Sequence, residues 1–227
     1  MKAALFDIKG NWAHFRKAET NNNPLTHDFI TKTALVGMIG AVLGKERPEM
    51  KALFPQLCDD LLYGVRVNNH VQKQSWGFTL RSASDLFAKS PKQMEFLRYP
   101  DFTILLALKN GQSGEFFDEF IWSVAAQKSC FQPVLGLHNC PADLYFIDDG
   151  EISEQQEGEF ETHGFISSSH KAIQFSRLSF DRIPTFQTDD FWNLPERYQS
   201  VVYPSNRETV RANGIYYQYN ESQWFLT

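Results

Sequence analysis

Five cations and five aromatic rings crowd residues 68–100: Lys73, Arg81, Lys89, Lys92 and Arg98, interleaved with Trp76, Phe78, Phe87, Phe96 and Tyr99. His70 adds a titratable ring nearby, and only Asp85 and Glu95 oppose the cations. Bases stack on aromatic faces for about 1–3 kcal/mol each, while Lys and Arg follow phosphates. A projecting arm with both groups suits single-stranded RNA with splayed bases. Phe87, Phe96 and Tyr99 are expected to fix the base of the arm to the body. Trp76 and Phe78, beside Lys73, Gln74 and Gly77, are expected near the tip and exposed.

Other chemistry is harder to assemble. GxxxxGK[ST], GxGxxG behind a strand, HExxH and GxSxG do not occur. Cys58, Cys130 and Cys140 form no CxxC, so neither a disulfide framework nor a cysteine-rich zinc site is expected. The adjacent pair Asp148 and Asp149 is too weak a signal for a metal, and none is assigned. No cofactor is expected. The longest apolar run, residues 34–43, is well short of the roughly 20 residues a membrane span needs, so a soluble cytoplasmic protein with no membrane partner is expected.

The elements that must position the arm follow from periodicity. In the chain of 227 residues, 42% are hydrophobic and 20 are Phe, enough for a sizeable core. Residues 3–8 alternate as a first strand. Residues 19–28, with three Asn and Pro24, read as a loop. Residues 31–48 give the clearest helix, capped by Thr31 or Thr33 and stopped by Pro48. Gly37, Gly40 and Gly44 each cost that helix about 1 kcal/mol relative to Ala. They imply a flat face, either packed on a sheet or approached by nucleic-acid backbone or a neighbouring subunit. Residues 61–67 and 102–108 read as strands, 115–126 as an amphipathic helix and 143–147 as a fourth strand.

The resulting order, β-α-β-β-α-β, is that of an α+β, ferredoxin-like (RRM-like) fold. About thirty-five residues separate its second and third strands, too many for a hairpin loop. The arm is therefore an insertion. Residues 1–150 are expected to form the ferredoxin-like domain including the inserted arm 68–100. Residues 151–162 are expected as an acidic loop, and 163–227 as a small C-terminal β-sheet region.

Charge is distributed unevenly over a net of −5. Residues 1–100 carry 14 Lys and Arg against 9 Asp and Glu, whereas the remainder carries 8 against 18. Eight of those acids fall in residues 143–161, which contain no basic residue. That run reads as a solvated loop between two sheet segments, or as a protein-binding patch. The total excludes a uniformly basic binder but leaves room for a local basic face.

The stretches FDIKGNWAHFRK, TKTALVGMIGAVLG, LYGVRV and PVLGLHNCPADLYF together resemble the Cas-five family of CRISPR-associated proteins, within the repeat-associated mysterious protein superfamily. The resemblance covers most of the chain and is nearest to the type I-B branch. It implies a non-catalytic, RNA-binding subunit of a Cascade surveillance complex that acts in antiviral defence. Such a subunit caps the particle, grips the five-prime handle of the crRNA, and touches a backbone subunit and the large subunit near the target DNA's flanking motif. Carried over by position, Trp12, Arg16 and Lys17 match the end of the first strand, and Lys32 and Gly37 the start and face of the glycine-bearing helix. Arg66 and the arm residues Lys73, Trp76, Phe78, Arg81 and Lys92 match by location.

One branch of that family cleaves repeat RNA without metal, using a base for the 2′-hydroxyl and a cation or acid for the leaving oxygen. Its adjacent Lys-His pair has no counterpart, because Asn110 follows Lys109. His14 near Arg16, with Tyr63 and Lys109, is the best candidate set for this alternative. A protein–protein adaptor using the glycine helix and the acidic run is a third reading.

Overall fold

Ala4, Phe6 and Ile8 project from one side of β1 (Lys2–Lys9), and all three are fully buried. Strand alternation puts every second side chain on one face, so this short pattern already fixes which side of the first strand meets the core. The computed structural model describes residues 1–81, 89–186, 194–204 and 207–227. The expectations for Phe87 and Asp85 lie outside the described residues.

The chain continues through β2 (Trp12–Ala13), α1 (Lys32–Val42), α2 (Arg47–Asp60), β3 (Leu61–Val67), β4 (Gln72–Arg81), β5 (Lys89–Arg98), β6 (Asp101–Leu108), α3 (Gly114–Ala125) and β7 (Asp143–Glu151). Seven strands follow: β8 (Gln156–Thr162), β9 (Ile166–Ser167), β10 (Lys171–Gln174), β11 (Leu178–Phe186), β12 (Arg197–Pro204), β13 (Val210–Tyr219) and β14 (Ser222–Trp224).

A four-stranded antiparallel sheet in the order β3-β6-β1-β7 forms the centre. Its register aligns Phe6, Ile104 and Val65 in one row, and Ile8, Phe102 and Val67 in the next. This face packs on Leu35, Val36 and Ile39 of α1 and on Phe117 and Phe120 of α3. Each such side chain contributes about 1.5–3 kcal/mol on burial. The opposite face is covered too: Ala3, Leu105 and Ala107 lie beneath Tyr217, Tyr219, Trp224 and Leu226 from the C-terminal strands and tail. Burial on both faces explains why β6 is apolar from Ile104 to Leu108 rather than alternating.

The three helix glycines have different causes. A Cβ on Gly40 would stand 2.3 Å from Met50 Sδ, so this glycine admits α2 rather than a sheet. Gly44 has φ +69°, a conformation that suits glycine just beyond a helix end. A Cβ on Gly37 would meet nothing within 4 Å among the described residues, so this position lies on the open side. Thr31 caps α1 as expected, its Oγ1 accepting from the Ala34 amide at 3.2 Å.

Pro48 was expected to stop the helix but instead helps to start the next one. It occupies the first turn of α2, where its missing N–H costs nothing. Just before it, the Glu46 amide donates to Glu49 Oε2 at 2.9 Å. A second helix therefore precedes β3, one more than the sequence pattern indicates.

The acidic stretch also corrects the sequence reading. Residues 151–162 are not a loop: β7 runs to Glu151 and β8 begins at Gln156, where it pairs antiparallel with β13. Phe160 and Thr162 face inward while Glu157, Glu159 and Glu161 face solvent. Composition resembles a loop because the charged residues take the outward positions of real strands. The C-terminal strands form two sheets rather than one, with β8, β10, β13 and β14 in the first and β9, β11 and β12 in the second.

Between β3 and β6, strands β4 and β5 make a hairpin paired from Gln72↔Arg98 to Arg81↔Lys89. At its base, β2 adds two residues, Trp12↔Arg98 and Ala13↔Leu97.

Candidate nucleic-acid interface

Directly opposed residues on an antiparallel pair share a face, and so do residues two apart on one strand. The hairpin register therefore sorts the arm into two faces. One carries Trp12, Gln72, Arg98, Gln74, Phe96, Trp76, Met94, Phe78 and Lys92; the other carries Lys73, Ser75, Glu95, Leu97 and Gly77.

The first face is a ring platform. Trp12 and Trp76 meet edge to face with centroids 4.5 Å apart, and both rest on Phe96, which is buried. Trp76 remains 40% exposed and Phe78 37%, as expected, although Trp76 lies in mid-strand rather than near the tip. Arg98 sets its guanidinium 5.8 Å from the Trp12 ring and 5.2 Å from that of Tyr99. Its buried Nε has no hydrogen-bond partner among the described residues. Lys92 reaches the Asn-rich loop, donating to Asn22 Oδ1 at 2.5 Å.

Tyr99 was expected to anchor the arm, yet it is 56% exposed. Its backbone takes φ +48°, an uncommon conformation for a non-glycine residue. Two bonds hold it: its amide donates to the Asn11 carbonyl at 2.9 Å, and its carbonyl accepts from Asn69 Nδ2 at 2.5 Å. Phe96, expected to anchor as well, is buried. Arg98, counted among the arm cations but not among the carried-over contacts, and Tyr99, expected as an anchor, thus join the candidate face. The two-residue period through Trp76 and Phe78, continued across the hairpin, carries the signal for Arg98. No sequence signal marks Tyr99 as exposed.

Beside this face runs a groove of about 980 Å³ lined in part by Arg16, Asn21, Met94, Thr33 and Ala34. Arg16 is exposed there, its guanidinium donating to the Thr20 carbonyl at 3.0 Å and to Asn21 Oδ1 at 3.1 Å. Gly37 lies one helical turn beyond Thr33 and Ala34, so the open stripe of α1 continues along its axis. His14 also borders the groove. Its Nδ1 faces the Glu95 carbonyl at 2.7 Å, and because a carbonyl only accepts, Nδ1 carries the proton. Burial pushes the imidazole pKa below its ordinary value. Its Nε2 is a buried acceptor with no partner among the described residues.

Other predicted contacts are drawn away from solvent. Lys17 Nζ lies 3.1 Å from the buried carboxylate of Asp181. Lys73 Nζ lies 2.6 Å from Asp28 Oδ1 on the opposite arm face. Lys32, expected at the surface, is buried in the first turn of α1, and desolvation lowers its pKa to about 8. Arg66 is half-buried, with its guanidinium 5.2 Å from the Trp224 ring. Arg81 pairs through its backbone with Lys89, and the expectation for its side chain lies outside the described residues.

The candidate cleavage set does not converge. Lys9, which precedes the His14 segment, pairs with Asp101 at the start of β6, whereas Lys109 follows Leu108 at its far end. At about 3.3 Å per residue this separates the two by roughly 25 Å. Tyr63 is fully buried between them on β3. Among the described residues, no group of three His, Cys, Asp or Glu could hold a metal. No helix among them is long and apolar enough to cross a membrane.

The family model described as CRISPR-associated protein (Cas_Cas5) matches residues 4–157, more than half of the chain. The chain belongs to the Cas5 family. A search of curated protein sequences finds no match. Among solved structures, it is similar to a CRISPR protein from Archaeoglobus fulgidus at TM-score 0.60 and 12% identity, over 99% of this chain and 98% of that one. A chain of a CRISPR RNA-guided surveillance complex is similar at TM-score 0.54 and 15% identity, over 93% and 91%. A chain of a type III-B Cmr-beta complex bound to cognate target RNA is similar at TM-score 0.53 and 10% identity, over 92% and 86%. These likenesses concern the fold. The family match spans β1 through the start of β8, so it includes the whole arm and the groove-lining part of α1.

Proposed function

We propose that this Cas5-family chain is a non-catalytic, RNA-binding subunit of a type I CRISPR surveillance complex. In this reading it caps the particle and grips the five-prime handle of the crRNA. The carrying observation is the arm face on which Trp12, Trp76 and Phe78 lie with Arg98 and Lys92. Exposed rings with neighbouring cations are what splayed single-stranded bases and their phosphates require. The open stripe of α1 and Arg16 extend that surface into the groove of about 980 Å³.

We read the central sheet as ferredoxin-like, supported by its order β3-β6-β1-β7 with helices between the first and second and between the third and fourth of its strands in sequence. A backbone subunit and the large subunit are the protein partners proposed, and target DNA is met only near its flanking motif. Similarity to a chain of an RNA-guided surveillance complex supports assembly of this kind. The alternative, metal-independent cleavage of repeat RNA, has weaker support because His14, Tyr63 and Lys109 do not share a site.

Two experiments test the reading. Alanine at Trp76, Phe78 and Arg98 together should release guide RNA from the purified complex, and unchanged RNA content would sink the arm's role. Incubating the isolated protein with repeat RNA and chelator should leave the RNA intact. A product ending in a cyclic phosphate would instead establish the nuclease.

A further inference from the structure

Lys73, Asp28 and Tyr203 come from three separate parts of the fold: the arm, the loop before α1, and β12. Lys73 Nζ lies 2.6 Å from Asp28 Oδ1 and 3.4 Å from Glu95 Oε1 on the neighbouring arm strand, and it donates to the Thr26 carbonyl at 3.1 Å. The second oxygen of Asp28 accepts from the Tyr203 hydroxyl at 2.5 Å. Glu95 also accepts from the Thr26 amide at 3.2 Å.

One residue earlier the same loop is tied again. His27 Nδ1 stands 3.2 Å from both carboxylate oxygens of Asp181 on β11. Asp181 also accepts from the Asp28 amide at 3.1 Å and from Lys17 Nζ at 3.1 Å. Residues 26–28 are therefore pinned to the arm on one side and to the β11–β12 sheet on the other.

The arm needs such a tie. A two-stranded hairpin is marginally stable by itself, and β2 extends its sheet by only two residues. Charge-assisted bonds of good geometry in a partly buried site restrain where simple sheet pairing is short. The surroundings of Lys73 also discourage a phosphate, because Asp28 and Glu95 already present carboxylates to Nζ. Burial by itself would lower the Lys73 pKa, but these two partners outweigh it and raise it.

We infer that Lys73, Asp28 and Tyr203 are positioning residues that hold the arm at a set angle to the body, and that Lys73 is not a phosphate contact. The inference rests on the RNA-gripping reading for its purpose, though the tie itself can be measured without RNA. Spin labels at Gln93→Cys and Glu154→Cys, in the full chain with Cys130→Ser, report the arm-to-body distance distribution. Lys73→Met, Asp28→Asn and Tyr203→Phe should each broaden it. Tyr203→Phe keeps the ring against Phe29, 5.3 Å away, and removes only the hydroxyl, so it guards against simple misfolding.

Binding of a fluorescently labelled single-stranded RNA oligonucleotide supplies the second readout. Lys73→Met should weaken it roughly tenfold, as expected where the untied arm holds its binding angle about one-tenth of the time. The salt dependence should keep its wild-type slope. An unchanged distance distribution in all three variants overturns the inference. So does a salt slope in Lys73→Met that falls by about 0.7, the signature of one lost phosphate contact. Broadened distributions in a protein whose wild type has no RNA affinity would leave the tie standing and overturn the RNA reading instead.

Discussion

The two faces of the β4–β5 hairpin are made by the same strands and both carry cations, yet those cations have opposite surroundings. Arg98 on one face sits among the rings of Trp12 and Tyr99, its Nε without a hydrogen-bond partner among the described residues. Lys73 on the other sits among the carboxylates of Asp28 and Glu95. A cation against aromatic faces keeps its charge available to an incoming anion, whereas a cation between carboxylates is already neutralised. Counting basic residues along an arm therefore overstates the charge it can offer, and the partner of each cation decides whether that charge is free.

The largest expected effect comes from dismantling the open face. Alanine at Trp76 and Phe78 should each remove about 1–3 kcal/mol of stacking, so the pair should weaken single-stranded RNA binding by at least about thirtyfold in a filter-binding titration. The far-ultraviolet spectrum and melting temperature should change little for Phe78→Ala. For Trp76→Ala, loss of its contact with Trp12 should lower the melting temperature modestly. Equal RNA affinity in both variants and wild type would erase the distinction between the faces.

Acid should act on the latched side. Asp181 is buried; burial would raise its carboxyl pKa, but His27, the Asp28 amide and Lys17 outweigh that and hold it well below the ordinary carboxylate range. Its unfolded form binds a proton near pH 3.9, so the folded state gains stability above that pH and loses it as pH falls toward the depressed value. Thermal melts from pH 6 down to pH 2 should show this loss, and Asp181→Asn should flatten it while costing about 2 kcal/mol or more at pH 7. A variant with the wild-type acid profile would remove Asp181 from the network.

Salt dependence sharpens the comparison with a smaller effect. Arg98→Gln should reduce the log–log salt slope of RNA binding by about 0.7, while Lys73→Gln should leave it unchanged. Identical slope changes would mean that both faces touch phosphate.

The smallest effect on RNA binding, none, is expected for a cation that belongs to neither face. Lys32 is buried with its pKa lowered to about 8, so the unfolded chain binds more protons between pH 8 and 10.5 and stability should rise with pH in that window. Lys32→Met should stabilise the protein at pH 7 by about 1–3 kcal/mol, remove that rise and leave RNA affinity unaltered. Weaker RNA binding would return Lys32 to the interface.

Much of this molecule is legible in its residues alone. Alternation in β1, the apolar run of β6 and the cap at Thr31 follow from local periodicity and local hydrogen bonding, so the central strands and α1 can be read within a few residues. The long spacing between the strand patterns at 61–67 and 102–108 likewise marked the arm as an insertion, and β4 and β5 pair within it. Pro48 and the acidic strand β8 misled for a physical reason: the same residue types serve a helix start or stop, and a solvated strand face or a loop. Only tertiary structure decided which cations are available. Lys17, Lys32 and Lys73 meet burial or carboxylates brought from as far away as β11, and Tyr99 turns outward through bonds to Asn11 and Asn69. Charge belongs to the residue, but its availability belongs to neighbours that the chain supplies from distant positions.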